Sequence, residues 1–247
     1  MPLGLVVLWS LTSVLNVNST SSLFVSPAQF LTAFVTDIEN GWLPGAIAAT
    51  LARALAGLVI GVFFGFAIGL AVGLWRPVDL ILSPTIDSAR QIALFGWIPL
   101  LSAWLGNGEA MKVTLIALGA LFPMALATAA GCANVAKPFR EVGRSLELDR
   151  SAEIRKIILP AAAPAIVAGL ELSLNIAWLG TIGAEYLIGT GYINGMGDGL
   201  GAYLAAAREF AHMDRVLVGV LALAIVGLSL DRFVAWLSRR IFPWQAR

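Results

Sequence analysis

Residues 141–160 read EVGRSLELDRSAEIRKIILP, the one long charged stretch in an otherwise apolar chain, and how it is taken decides the arrangement of everything else. Val142 and Leu146 stand one helical turn apart, as do Ile154 and Ile158 with Ile157 beside them. Each half can therefore lay an apolar stripe on a neighbour while its charges face water. That spacing predicts two short helices with a break between them. Lys137, Arg140, Arg144, Arg150, Arg155 and Lys156 crowd into the same region, and clustered basic residues between membrane segments mark the cytoplasmic side. A loop of this kind offers a cytosolic partner something to grip.

The surrounding composition sets the class. Hydrophobic residues make up 59% of the 247, charged residues only 13%, and the mean hydropathy is +0.86. A soluble domain carries about 25% charged residues, so the chain reads as an all-α integral membrane protein. A net charge of +1 offers no basic surface for nucleic acid. The single cysteine, Cys132, forms no intrachain disulfide and reads as a small apolar filler in a membrane helix.

Working outward, about six membrane helices are expected. The stretch from Leu3 to Leu15 is short but apolar, and with no basic residue before it and no clean cleavage site after it, it reads as a first span rather than a signal peptide. Residues 26–41 carry Phe30, Phe34 and Ile38 at four-residue steps, with Asp37 and Glu39 among them, which fits an amphipathic helix at the outer interface and not a span. Between Arg53 and Arg76 there is no charge at all, long enough for a full crossing. Gly57, Gly61, Gly65, Gly69 and Gly73 recur every fourth residue there and make one face on which a second helix can approach closely; packing within the chain is favoured over a subunit contact. Arg53 lies one turn before that face and either snorkels to the outer surface or looks into a pore.

Trp75-Arg76-Pro77 reads as a turn, after which Val78 to Leu105 is expected to cross back as a third span. Arg90 within it is costly in a bilayer unless paired or set in a watery cavity, so it is either an inner-side anchor or a contact for a passing anion. A turn at Gly106–Glu109 leads to a fourth span, Val113–Ala136, in which Pro123 suggests a kink. Pro160 suits the first turn of the fifth span, reaching to about Leu187, and Pro164 is expected to bend its entry. Glu171, Asn175, Trp178 and Glu185 give this helix more polarity than lipid contact allows, so one side must face protein or water. Gly189–Gly201, GTGYINGMGDGLG, is glycine-rich but lacks the spacing of a phosphate loop; it reads as a flexible outer loop or a segment dipping toward the pore. A short interfacial helix over 200–211 follows, then His212, a surface residue, and a last span from Val216 with Arg239, Arg240 and Trp244 anchoring its inner end. Basic residues are few on the opposite side, chiefly Arg208 and Arg215, so both termini are placed in the cytoplasm.

The charged stretch resembles the "EAA" loop of the permease subunit of bacterial ABC importers, whose pattern is Glu-Ala-Ala, three residues, Gly, nine residues, Ile, one residue, Leu-Pro. Glu141 fits; Val142 and Gly143 stand in for the alanines; Ile157, Leu159 and Pro160 fall at the expected spacing. Glu147 occupies the glycine position, where it either continues the first helix or faces the partner. The segment from Ser88 to Gly106 is similar to the family's third-helix signature through Arg90, Ile92, Pro99, Trp104 and Gly106. The likeness runs from about Leu23 to Trp244 and points to the nitrate, taurine and aliphatic sulfonate subgroup, whose members usually begin with a basic stretch that is missing here.

The resemblance implies a type I ABC importer transmembrane domain over residues 45–235, with a coupling loop at 137–160, an N-terminal helix and amphipathic segment at 1–44, and a cytoplasmic tail at 236–247. It also implies a second permease subunit (a homodimer), two cytosolic ABC ATPase subunits that bind ATP and Mg, and an extracytoplasmic solute-binding protein, all in or on the bacterial inner membrane and its lipid. This chain itself is expected to bind no cofactor or metal and to catalyse nothing. Val142, Leu146 and Leu148 are the expected docking contacts, with Glu141, Arg144, Glu147 and Asp149 setting the ionic fit. Arg53, Arg90, Glu171, Asn175, Trp178 and Glu185 are candidates for the translocation path. Glu185 sits where similar permeases also have a glutamate, whereas Glu171 stands where many carry arginine. An ion-coupled secondary transporter using Glu171 and Glu185 is the alternative, though it would have no need of such a loop and inverted repeats are not visible. One histidine and one cysteine cannot build the multi-His or multi-Cys zinc site of a membrane protease.

Overall fold

The computed structural model describes residues 25–188 and 198–241, without the side chains of 140, 142, 144, 235, 237–239 and 241. The expected first span, most of the glycine-rich loop and the end of the tail lie outside the described residues. What is described is helical throughout: α1 Pro27–Glu39, α2 Trp42–Leu74, α3 Arg76–Ala89, a 3-10 turn Leu94–Trp97, α4 Ile98–Leu105, α5 Glu109–Ala133, α6 Lys137–Ser145, α7 Arg150–Ile188, α8 Leu200–Glu209 and α9 Met213–Ile241. Four of these, α2, α5, α7 and α9, are long and apolar enough to cross a membrane. Exposed Val59, Phe63, Phe64, Ile225 and Leu228 suit contact with lipid tails. The chain divides into two compact units, Met1–Ala52 with Ile182–Leu228, and Arg53–Thr181 with Ser229–Arg247.

The second unit is organised by the glycine face of α2, and its partner is α5. A Cβ on Gly61 would strike the Ala117 carbonyl oxygen; on Gly65 it would lie 2.5 Å from that of Leu121; on Gly69, 2.5 Å from that of Ala125; on Gly73, 2.8 Å from that of Ala129. Gly57 meets the Ile116 side chain in the same way. Only hydrogen fits, so the expectation of packing within the chain holds, and Ile116 and Ala120 close the seam in a core with Leu58, Leu174 and Ala177. Residue numbers rise together along both helices, so α2 and α5 run parallel.

A parallel pair requires the intervening chain to return across the membrane. It does so in pieces, which corrects the expectation of a single helix from Val78 to Leu105. α3 ends at Ala89, the chain passes through the 3-10 turn, and α4 resumes with Pro99 in its first turn. Pro84, Pro99 and Gly96 interrupt the ladder, Asp79 and Asp87 add charge to α3 and Arg90 to its end, and α3 has no buried residue.

Two further expectations change. The fifth span does not start at Pro160: α7 is continuous from Arg150, passing through a wide π-helical stretch at Ile154–Ile158, where the Leu159 N–H donates to the Ile154 carbonyl. This stretch immediately precedes Pro160 and Pro164, each lacking an N–H to give, so the regular ladder is altered over the whole entry to the span. α8 is not an interfacial helix lying on the surface, since Leu200, Gly201, Ala202, Tyr203, Ala206 and Ala207 are all buried.

In the first unit α1 is opened by a capping box, Ser26 and Gln29 each bonding the other's backbone N–H. Its buried stripe is not the one read from Phe30, Phe34 and Ile38. Ile38 is exposed and Asp37 is fully buried, because the Tyr203 hydroxyl donates to Asp37 Oδ2 at 2.6 Å and Arg215 stands 3.2 Å from Oδ1 while lying over the Trp42 ring. Paired charges can be buried where single ones cannot.

Candidate functional site

The Glu141–Pro160 loop is a helix, a tight turn and a second helix. α6 ends at Ser145, and Glu147 has φ +48°, the left-handed conformation that side chains with a Cβ disfavour. The Leu148 N–H donates to the Gly143 carbonyl at 3.1 Å. This six-residue closure with a left-handed residue inside it is the Schellman ending of a helix, in which glycine is the usual occupant. Glu147 thus neither continues the first helix nor merely replaces the glycine in sequence: it adopts the glycine's backbone conformation. Asp149 then caps α7, its carboxylate accepting from the Ser151 N–H.

The other motif residues also acquire physical roles. Gly143 is buried, and a Cβ there would lie 2.8 Å from Ile157 Cδ1, so the small residue at the alanine position makes room for the isoleucine fourteen residues on. Ile154 and Ile158 pack with Cys132, Val135 and Ala162 and root the second half of the loop in the bundle. Leu159 is half-buried and Pro160 exposed. Glu141, Glu147 and Asp149 are exposed, Leu148 is half-buried, and Leu146 is 64% exposed, an apolar side chain left outward at the tip. The side chains of Val142 and Arg144 fall outside the described residues. The sequence placed Arg150 only in the basic cluster; in the structure its guanidinium donates to the Leu74 carbonyl at 3.2 Å and stacks over the Trp75 ring at 5.8 Å. Leu74 ends α2, so its carbonyl lacks a helical partner, and Arg150 ties the loop to that end.

The candidate path residues separate into engaged and open groups. Arg53, 8% exposed, holds Glu109 with both Nε and Nη2, at 2.5 and 2.9 Å, and Lys112 approaches the same carboxylate at 3.4 Å. Glu185 is fully buried: Oε2 accepts from the Thr50 hydroxyl at 2.9 Å and from the Gly201 N–H at 3.0 Å, while the Leu200 N–H donates to the Thr50 oxygen at 2.7 Å. The carboxylate therefore caps the start of α8, and Gly199, at φ +94°, passes over it where any Cβ would strike it. Glu171 and Trp178 are half-buried and Asn175 is exposed on α7. Arg90 is exposed, its Nε 2.9 Å from Asp87 Oδ1, at the edge of a cavity of about 300 Å³.

A multi-pass helical membrane protein with a stiff, charged helix–turn–helix between two spans is the class that this architecture defines. The chain belongs to the family of inner membrane components of binding-protein-dependent transport systems, whose model matches residues 57–243. It is 34% identical over 245 residues to an aliphatic sulfonates transport permease protein of Bacillus subtilis (strain 168), covering 99% of this chain and 86% of that one. It is 32% identical over 162 residues to a nitrate import permease protein of Synechocystis and 33% identical over 164 residues to the taurine transport system permease protein of Escherichia coli (strain K12). Those two matches cover 66% of this chain, and 56% and 57% of the relatives. A crystal structure of an amino acid ABC transporter with histidines superposes with a TM-score of 0.64 over 84% of this chain and 98% of that one, at 18% identity, which shows the shared fold. The ion-coupled alternative finds no support in these likenesses.

Proposed function

We propose that this chain is the permease subunit of an ATP-driven importer for a small solute, an anion such as nitrate, taurine or another sulfonate, delivered by an extracytoplasmic binding protein. The observation that carries the reading is the Glu141–Pro160 loop: capped at both sides of its turn, rooted by Ile154 and Ile158, and presenting Leu146 outward. A coupling element must be stiff, because a loop that yields absorbs a stroke without passing it on. The loop lies on the cytoplasmic side of the bacterial inner membrane, as do both termini, and docks on an ABC ATPase subunit. ATP and Mg bind to that ATPase; two copies of it serve two copies of this permease, and the solute crosses along their shared axis. The path runs past Arg90 and the side of α7 bearing Glu171, Asn175 and Trp178, while Arg53, already engaged by Glu109, braces its wall.

The test is reconstitution with the ATPase and the binding protein. Leu146→Asp places a charge in the centre of the docking contact and should remove roughly tenfold or more of the binding-protein-stimulated hydrolysis, with unfolding temperature unchanged because Leu146 is exposed. Full stimulation in the variant would remove the docking assignment.

A further inference from the structure

We propose that the cavity edged by Arg90 is the solute site of this half-channel, and that it selects an oxyanion carrying a short apolar tail over a bare inorganic anion. The inference rests on the permease reading above and adds a solute class to it. Of the two arginines placed near the path, Arg53 is buried and committed to Glu109. Arg90 gives only Nε to Asp87, which steadies the guanidinium and leaves its two terminal amino groups without a partner among the described residues. Those two groups form the fork that takes two oxygens of a sulfonate or carboxylate at once.

The rest of the wall is apolar, with Trp97 and Phe122 among Leu94, Leu172 and Ile176, and Arg90 is the one charged residue lining it. At about 300 Å³ the space is at the lower end of small-ligand pockets. A planar inorganic anion would engage the guanidinium and leave the aromatic and aliphatic walls unused. An alkanesulfonate would use both. The larger hollow in the same unit, about 500 Å³, sets two carboxylates, Asp79 and Asp87, against the one guanidinium of Arg76, whereas neither carboxylate lines the smaller cavity.

The complex of this chain with its ATPase, in lipid nanodiscs, is titrated with labelled methanesulfonate, ethanesulfonate, butane-1-sulfonate and nitrate, and hydrolysis stimulated by the binding protein is read in the same preparation. Affinity should rise about fourfold for each methylene added, with nitrate the weakest. Arg90→Gln should weaken butane-1-sulfonate about ten- to a hundredfold, and Arg90→Lys, which keeps the charge and loses the fork, should fall between. Phe122→Ala, which leaves Arg90 in place, should flatten the dependence on tail length. Stimulated hydrolysis with equal affinity for nitrate and butane-1-sulfonate, or with binding unmoved by Arg90→Gln, overturns the cavity assignment and leaves the permease reading standing. Loss of stimulation in the unmodified complex overturns both.

Discussion

Glu147→Gly should make the turn of the charged loop firmer. A residue bearing a Cβ in the left-handed region costs roughly 1–2 kcal/mol, and Glu147 is held there at φ +48° by the closure from Leu148 to Gly143. Glycine removes that cost but brings extra freedom to the opened loop, worth roughly 0.5–1 kcal/mol against it. The net gain is about 0.5–1 kcal/mol, a two- to fivefold slower opening. Amide exchange read by mass spectrometry on peptides covering 143–152 measures it, since the Leu148 N–H is the proton released when the turn opens. Glu147→Ala is the control: it removes the charge, keeps the Cβ, and should exchange no more slowly than the parent. If the glycine variant exchanges as fast as the parent, or if alanine protects as well as glycine, the strain argument is wrong and the charge is what matters.

Gly65→Ala should destabilise by about 1–3 kcal/mol, because the added methyl meets the Leu121 carbonyl at 2.5 Å and backbone must move; thermal unfolding in detergent reads it, with Val59→Ala on the exposed side as the mild comparison. Glu185→Leu leaves the Thr50 hydroxyl and the Gly201 N–H without their acceptor and should cost roughly 2–4 kcal/mol by the same assay, with Glu185→Gln recovering part. Burial, and then the hydrogen bond to Asp37, push the Tyr203 phenol well above its ordinary 10.0. The raised value adds stability that is full below pH 10 and drains away as the pH climbs beyond it, so Tyr203→Phe should flatten the alkaline loss of stability seen in denaturation between about pH 9 and 11.5. Arg150→Ala should lower solute moved per ATP while shifting the unfolding free energy by only about 0.5–1 kcal/mol, as an exposed stacking and carbonyl contact predicts.

The loop and the small-residue face were legible because both are written as local periodicities. What the face packs against was not, since the register of Gly57–Gly73 on α5 is a pairing between segments some sixty residues apart that no local pattern encodes. The same holds for Arg53 with Glu109 and for Asp37 with Tyr203 and Arg215: each charge was visible, its partner was not. The broken third crossing did leave a signal, in Pro84, Gly96 and Pro99 and in the charges of α3, but a sum of apolar residues over 78–105 hides it. The conformation of Glu147 was half legible. Its place in the motif marked a position where glycine is normal, while the residue itself argued for helix, and the closure from Leu148 to Gly143 prevailed over side-chain preference.

The seam between α2 and α5 has a mechanical corollary. Carbonyl oxygens of one helix seated where the other has no side chains act like cogs, so the two cannot slip past each other by an arbitrary distance; the next seating is one tooth away, four residues along. Whatever bending a transport cycle demands is thereby displaced to joints of another kind, such as the broken return segment around residues 90–97, and the meshed pair travels as a single spar.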